Sequence, residues 1–287
     1  MKILVLGSSG MIGRTMFHVL AERTEWQVVG SVRAKVFEGK SPSTVVAGVD
    51  LCNQDHLERL FGQTQPDVVV NCAGLTKHLP EGNAPIPALM MNALLPHRLG
   101  QLCEIAKARL IHVSTDCVFA GDVGDYKEQD ATDASDVYGK TKAIGEISSG
   151  NVLTLRTSTI GHEQGTQYGL LEWFLAQSQC KGFRHAIFSG LPTVEFARVV
   201  RDVVIKDSSL RGLYHVGAEP IDKLSLLETI ASIYKRDISI IPDDNFRINR
   251  SLNTQKFSEA TGYRAPKWPK LIETMYQDHI YRSQHHV

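Results

Sequence analysis

Short apolar runs alternate with helically spaced ones along the first half of the chain. Residues 2–6, 27–31, 44–47, 67–72, 109–114 and 152–156 read as strands. The runs at 67–72 and 109–114 are nearly continuous in apolar and β-branched residues, as strands buried on both faces require. Between the strands, 11–22, 54–61 and 90–108 repeat their apolar residues at helical spacing. This βαβα order predicts an α/β fold with a doubly wound parallel sheet and right-handed crossovers. Past Arg156 the regularity breaks. A polar, glycine-containing stretch at 161–169 precedes a helix at 170–179, a loop or short strand at 186–192 and a helix at 194–206. A returning strand at 212–217, a helix at 225–234, a strand at 238–241 and a tail helix from Pro269 complete the pattern, with His285 and His286 expected in a disordered tail.

The first strand runs straight into Gly7-Ser8-Ser9-Gly10-Met11-Ile12-Gly13 and then into a helix. That context turns a weak glycine pattern into a Rossmann-type dinucleotide cradle. Gly7 permits the turn, Gly10 lets backbone approach a pyrophosphate, and Gly13 lets helix and strand pack closely. Met11 and Ile12 begin the helix, whose free N–H groups suit an anion. The second strand ends at Ser31, with Arg33 and Lys35 beyond and no acid where NAD enzymes place one. A guanidinium suits a 2′-phosphate, so NADP is favoured over NAD; the competing reading of Arg33 is a solvated loop charge. Asp50, followed by Leu51, either reaches the adenine edge or caps a helix. Cys72, Ala73 and Gly74 end the fourth strand with residues small enough for backbone to pass a cofactor.

Composition narrows the class. The 287 residues are enough for a sizeable core, and 31 basic residues balance 31 acidic ones. No basic run or aromatic-basic stripe points to nucleic acid, and no apolar run reaches membrane-spanning length. Cys52, Cys72, Cys103, Cys117 and Cys180 are odd in number and lack Cys-x-x-Cys spacing, and the chain opens without a secretory leader. Reduced thiols in a cytoplasmic protein are expected. His162 and Glu163 lack partners at metal-ligand spacing, so no catalytic metal is expected.

Tyr138 and Lys142 lie one helical turn apart and reach the same spot. Ser114, Thr115 and Asp116 end the fifth strand, at the sheet edge where ligands of such folds bind. A hydroxyl there can hold a carbonyl oxygen while Tyr138 supplies a proton. A free tyrosine titrates near ~10, and the Lys142 charge is expected to favour phenolate or to hold the cofactor ribose.

These residues resemble the extended short-chain dehydrogenase/reductases, most closely the dTDP-4-dehydrorhamnose reductase group of sugar-nucleotide reductases. The likeness runs from Met1 to about Arg282. It is most specific in VSTDCVFAG at 113–121, YKE at 126–128 and VYGKTKAIGE at 137–146, and continues in LRTS at 155–158, RSLN at 250–253, TGY at 261–263 and Pro266. It implies a catalytic set of Thr115, Tyr138 and Lys142, with Ser114 among the cofactor contacts and Asp116 and Cys117 on the substrate side. It also implies NADP-dependent reduction of the 4-keto group of a nucleotide-linked 6-deoxyhexose for cell-surface polysaccharide precursors, with a homodimer possible. Cys117 replaces the usual tyrosine, and the loop after Ser158 lacks the usual aromatic. Both changes leave room for a UDP-linked 2-acetamido sugar. A redox-neutral epimerase or dehydratase and a non-catalytic NADP-binding regulatory subunit are the alternatives; Asp116-Cys117, in place of the usual Asp-Glu, argues against a dehydratase.

The implied division is a dinucleotide-binding domain of 1–160 plus about 193–218, and a small α/β substrate-binding region of about 161–192 plus 219–287. Other polar residues carry paired readings. Asn92 either organises water or backbone near Lys142 or is an ordinary helix residue. Thr193 either meets a nucleotide phosphate or uracil or belongs to a turn. Arg250 either clamps a diphosphate or forms a surface ion pair. The five Asp and one Glu of 122–136 read as a mobile, solvated loop near the pocket.

Overall fold

The computed structural model describes residues 1–34 and 44–285; Lys35 and His286 lie outside the described residues. The chain begins β1 (Lys2–Leu6), α1 (Met11–Ala21), β2 (Gln27–Ser31), β3 (Thr44–Val46), α2 (Gln54–Thr64) and β4 (Val68–Asn71). Two four-residue helices follow, α3 (Pro80–Asn83) and α4 (Pro85–Ala88), then a π-helical segment (Leu89–Leu94) that passes into α5 (Leu95–Ala106). Next come β5 (Arg109–Thr115), a 3₁₀ turn (Asp116–Val118), α6 (Val137–Ile144) and β6 (Val152–Thr157). The remainder is β7 (Thr159–Ile160), α7 (Leu170–Leu175), β8 (Gln179–Phe188), β9 (Leu191–Pro192), α8 (Thr193–Val199) with a π-helical extension, β10 (Gly212–His215), β11 (Ile221–Asp222), α9 (Lys223–Tyr234), β12 (Ser239–Asn249), α10 (Gln255–Thr261) and α11 (Trp268–His285).

Seven parallel strands form the main sheet in the order β10-β6-β5-β4-β1-β2-β3, the doubly wound arrangement expected from the sequence. Every residue of β4, β5 and β6 is buried. Strands covered on both faces cannot alternate polar with apolar residues, which is why their sequences read as continuous runs. The order reverses between β1 and β4. There a Cβ on Gly7 would stand 2.9 Å from the Ala73 Cα, so the ends of the two strands close on one crevice.

A second sheet, β11-β8-β12, and the short β7-β9 pair lie beyond β6 in the chain. One apolar cluster runs from Ile3 in β1 through Phe196 in α8 to Met275 in α11, so these later elements share a core with the main sheet. The sequence pattern misjudges this part. The helix expected at 170–179 stops at Leu175, and residues 179–188 form a ten-residue strand. Lys181, Gly182, Arg184 and His185 hide that strand from a periodicity test. Its partner β12 extends well past 241 despite Pro242, Asp243 and Asp244; a register shift between Asp243 and Arg247 accommodates them. The tail helix α11 reaches His285, one residue of the tail expected to be disordered; His286 lies outside the described residues.

Candidate active site

The cradle after β1 has the geometry its glycines require. Gly7 turns at φ +74°, a conformation L side chains rarely adopt. A Cβ on Gly13 would overlap the Gly7 carbonyl, so only glycine lets α1 sit this close to the turn. Gly10 is the N-cap of α1 and no side chain caps the helix, leaving the first-turn N–H groups at Met11, Ile12 and Gly13 without a side-chain acceptor. The buried Ser31 hydroxyl also has no partner among the described residues. Turn, uncapped helix and orphan hydroxyl together fit a dinucleotide phosphate and ribose.

Arg33 is exposed just past β2. Its charge and that of Arg98 both act on Cys52, opposing the rise that burial and Asp50 impose on the thiol. Arg98, which the sequence did not single out, donates to the Cys52 carbonyl at 3.2 Å. Asp50 does not cap α2. Asn53 does, accepting from His56 N–H, while the Asp50 carboxylate accepts the Cys52 N–H at 2.9 Å. Leu51 is buried in the core on that side.

At the carboxyl end of β5, Thr115, Asp116 and Tyr138 converge. The Thr115 hydroxyl donates to Asp116 Oδ1 at 3.1 Å and accepts the Cys117 N–H at 3.1 Å. The Tyr138 side chain is half-buried and within hydrogen-bonding reach of Thr115. Burial raises its pKa well above the usual tyrosine value, the Cys117, Asp116 and Asp136 charges add to the rise, and Thr115 opposes it. Phenolate is therefore disfavoured, which corrects the expectation that Lys142 would promote it. Lys142 is buried, and its ammonium donates to the Val113 carbonyl at 2.8 Å. Burial brings it down to about 8, with the Glu146 charge opposing.

Burial likewise raises the Asp116 carboxyl, and Thr115, Arg250, Cys117 and Lys77 pull it back. Cys117 is pushed up to about 11 by burial and by Asp116, so it remains a thiol near neutral pH. Arg250 donates to the Phe119 carbonyl at 2.7 Å and places Nη1 3.9 Å from Cys117 Sγ, beside the site rather than in a surface ion pair. Lys77, on the loop leaving β4, is a second cation here that the sequence reading missed; nothing in its local pattern marks it. Cys72 is pushed up to about 12 by burial, with Lys142 opposing.

Helix α6 carries the tyrosine and lysine, and its placement is over-determined. Asp136 caps it, accepting the Gly139 N–H at 2.6 Å. A Cβ on Gly139 would overlap the Cys117 carbonyl, and one on Gly145 would overlap the Asn92 carbonyl. Asn92, buried in the π-helical segment, bonds both backbone groups of Leu75 at 2.8 and 3.0 Å and Thr141 Oγ1 at 3.3 Å. Of its two readings, the structure supports the organiser of backbone.

Two expectations are corrected. Thr193 is buried with its hydroxyl 3.4 Å from Thr15 Oγ1 on α1, so it belongs to helix packing and not to a nucleotide pocket. The Ser114 hydroxyl donates to Glu146 at 2.6 Å and keeps its acceptor lone pairs. The acidic segment 122–136 keeps all five aspartates exposed, as expected of a solvated loop, but it is tied down: Asp130, Asp133 and Asp136 accept backbone N–H groups, and the Tyr126 hydroxyl accepts those of Gly121, Asp122 and Val123. His162 lies in its own cluster, 2.6 Å from Glu172, 2.9 Å from the Tyr234 hydroxyl and stacked on His279.

Comparison with known proteins fits this geometry. The family model described as RmlD substrate binding domain matches residues 1–280. The dTDP-4-dehydrorhamnose reductase of Aggregatibacter actinomycetemcomitans is 24% identical over 230 residues, covering 76% of this chain and 74% of the relative. The methionine adenosyltransferase 2 subunit beta of Pongo abelii is 30% identical over 145 residues, 50% of this chain and 41% of the relative. The crystal structure of dTDP-4-dehydrorhamnose reductase from Bacillus anthracis in complex with NADP superposes with a TM-score of 0.79 at 17% identity, covering 96% and 99% of the two chains.

Proposed function

The chain belongs to the RmlD substrate-binding-domain family, and on that premise we propose that it is an NADP-dependent reductase acting on the 4-keto group of a nucleotide-linked 6-deoxyhexose. The observation that carries the reading is the convergence of Thr115, Tyr138 and Asp116 at the carboxyl end of β5, beside the glycine cradle. The cofactor supplies hydride when bound. Thr115 holds the carbonyl oxygen of the sugar, and Tyr138 gives that oxygen its proton as negative charge develops. A phenol whose pKa is raised keeps its proton at neutral pH, as an acid for this step must. Lys142 holds the cofactor ribose. Arg33, with Arg98 nearby, supports NADP over NAD, since two cations stand together on the Cys52 side of the cradle, where a 2′-phosphate would be held.

On the substrate side, Asp116, Cys117 and Arg250 line the sugar-nucleotide site, with Lys77 as a second cation for its diphosphate. The thiol of Cys117 occupies less space than the tyrosine common at this place in the family, which supports a UDP-linked 2-acetamido sugar beside a dTDP-linked one. Free thiols at all five cysteines support a cytoplasmic setting. No described helix is long and apolar enough to cross a membrane. A homodimer, implied by family likeness, is part of the same proposal; light scattering that returns the mass of one chain would count against it.

The test is to incubate the protein with NADPH and a panel of dTDP- and UDP-4-keto-6-deoxyhexoses and to follow loss of the reduced-nicotinamide absorbance. Stoichiometric oxidation with one member supports the reductase and names its substrate class. NADPH binding without oxidation across the panel overturns it in favour of a regulatory subunit, the reading favoured by the likeness to methionine adenosyltransferase 2 subunit beta.

A further inference from the structure

The YKE stretch at 126–128 has no part in the chemistry described above, yet it pairs with the RSLN stretch at 250–253 that carries Arg250. Tyr126 grips that stretch with its backbone. Its N–H donates to the Ser251 carbonyl at 2.9 Å, and its carbonyl accepts the Asn253 N–H at 2.7 Å and the His215 Nδ1–H at 3.0 Å. Its ring is buried and stacks on Phe119, with centroids 4.1 Å apart. The hydroxyl reaches back into its own loop, where it accepts the N–H groups of Gly121, Asp122 and Val123 at 3.2, 3.1 and 3.3 Å. Three donors on one oxygen wrap 121–123 into a tight turn, in which Gly121 takes φ +97°.

Arg250 leans on that turn. The Gly121 carbonyl accepts the Asn249 N–H at 2.6 Å, and a Cβ on Gly121 would stand 2.9 Å from Arg250 Cγ. Two residues earlier, the Phe119 carbonyl accepts Arg250 Nε at 2.7 Å. With Nε committed, the Nη1–Nη2 end of the fork remains, and Nη1 faces the Cys117 thiol at 3.9 Å. A thiol is a weak acceptor, so this end of the guanidinium is left for an anion.

We propose that Tyr126 is a positioning residue: its hydroxyl holds the 121–123 turn against the stem of Arg250 and so fixes that guanidinium where the substrate diphosphate binds. The role deepens the nucleotide-sugar reading above and rests on it. Tyr126 acts through Arg250, which is pinned on one side by Asn249 on Gly121 and on the other by Ser251 and Asn253 on Tyr126 itself.

The experiment uses the full chain as wild type, Tyr126→Phe, Arg250→Ala and the double variant. Binding of UDP and of dTDP is measured by calorimetry with NADP present, and NADPH affinity by fluorescence. Phenylalanine keeps the stacked ring and the main-chain bonds and removes the acceptor. Asp122 and Val123 are exposed, so their N–H groups turn to water and the fold persists. Tyr126→Phe should weaken the nucleoside diphosphate about five- to tenfold, and Arg250→Ala at least as much. The double variant should bind no more weakly than Arg250→Ala alone, because no guanidinium is left to place. NADPH affinity in Tyr126→Phe should stay within about twofold of wild type, since the cradle is not touched. The proposal falls if Tyr126→Phe leaves the diphosphate affinity unchanged, weakens it by the same factor with and without Arg250, or weakens NADPH alike. A crystal structure of Tyr126→Phe should show Arg250 released from the Phe119 carbonyl and from Cys117; retention of both contacts overturns the proposal whatever the ligand. If wild type binds neither nucleotide, the nucleotide-sugar reading fails, and that crystal structure still judges Tyr126.

Discussion

Tyr138 and Thr115 divide the work at one oxygen atom, and single substitutions separate their roles from folding. Tyr138→Phe keeps the ring and its packing and removes the proton. It should lower kcat by about 10²-fold or more while NADPH affinity stays within a few-fold. A Phe variant that reduces the sugar at wild-type rate sinks the assignment. Arg33→Ala tests the cofactor. The ratio of kcat/KM for NADPH over NADH should fall about tenfold or more, because an exposed guanidinium paired with a doubly charged phosphate is lost while the rest of the cradle is kept. An unchanged ratio assigns the 2′-phosphate to another cation, and Arg98 is the next candidate. The sequence made Tyr138, Thr115 and Arg33 visible because each belongs to a local pattern on a recognisable element. Lys77 belongs to no such pattern. It meets Asp116 and Cys117 across a fold contact, and only three-dimensional proximity marks it. Thr193 erred in the opposite direction: a polar residue in a glycine-proline turn suggested a ligand, and its hydroxyl faces α1.

Helix α6 shows how an eight-residue element can hold reactive groups still. Such a helix is too short to be stable alone, so capping and docking fix it. The sequence spacing placed Tyr138 and Lys142 on one face but gave no reason for Gly139. The structure does, since the Cys117 carbonyl occupies the space a side chain would need. Gly139→Ala should therefore push the N-terminal turn of α6 off Cys117 and cost about 10²-fold in kcat/KM, even though alanine is the better helix former. Activity retained in the Ala variant would show that the backbone yields without moving the tyrosine. Asp136→Ala removes the cap and should destabilise the protein by about 1 kcal/mol in urea melts. A melt superimposable on wild type would mean that docking alone fixes the turn. The helices and strands of the main sheet were legible because burial on both faces writes a plain apolar pattern. β8 and β12 were not: the middle strand β8 and the edge strand β12 are mostly exposed or half-buried, and such a sheet tolerates the polar and glycine residues, and at its edge the proline, that obscure strand periodicity.

One apolar cluster joins β1 to α8, α9 and α11, so opening the later elements opens the cofactor-binding sheet as well. That shared core also carries a titration burden. His215 is completely buried; burial first, then Arg156, hold its pKa down at about 3. His18 is held down to about 4 by burial and by the Arg282 and Arg14 charges, and His112 lies well below the usual histidine value for reasons of burial and Lys142. In the unfolded chain each titrates near ~6.5. Between that value and the folded one, the unfolded state binds the proton and the folded state does not, so stability falls as pH falls. His18 should contribute a loss from about 6.5 down to about 4, and His215 one that continues to about 3, each roughly 1.4 kcal/mol per pH unit well inside its window. Asp202, brought down to about 2 mainly by its bond to Arg201, adds its own loss only below the ordinary carboxylate range, which leaves pH 6.5 to 4.5 chiefly to the histidines. Urea unfolding at half-unit steps from pH 7 to 4.5 should show the stability declining throughout. His215→Gln keeps an acceptor for Arg156 and a donor for the Tyr126 carbonyl but cannot take up the proton. It should be less steep than wild type by about one proton's worth below pH 6, and a slope equal to wild type would remove His215 from the acid response.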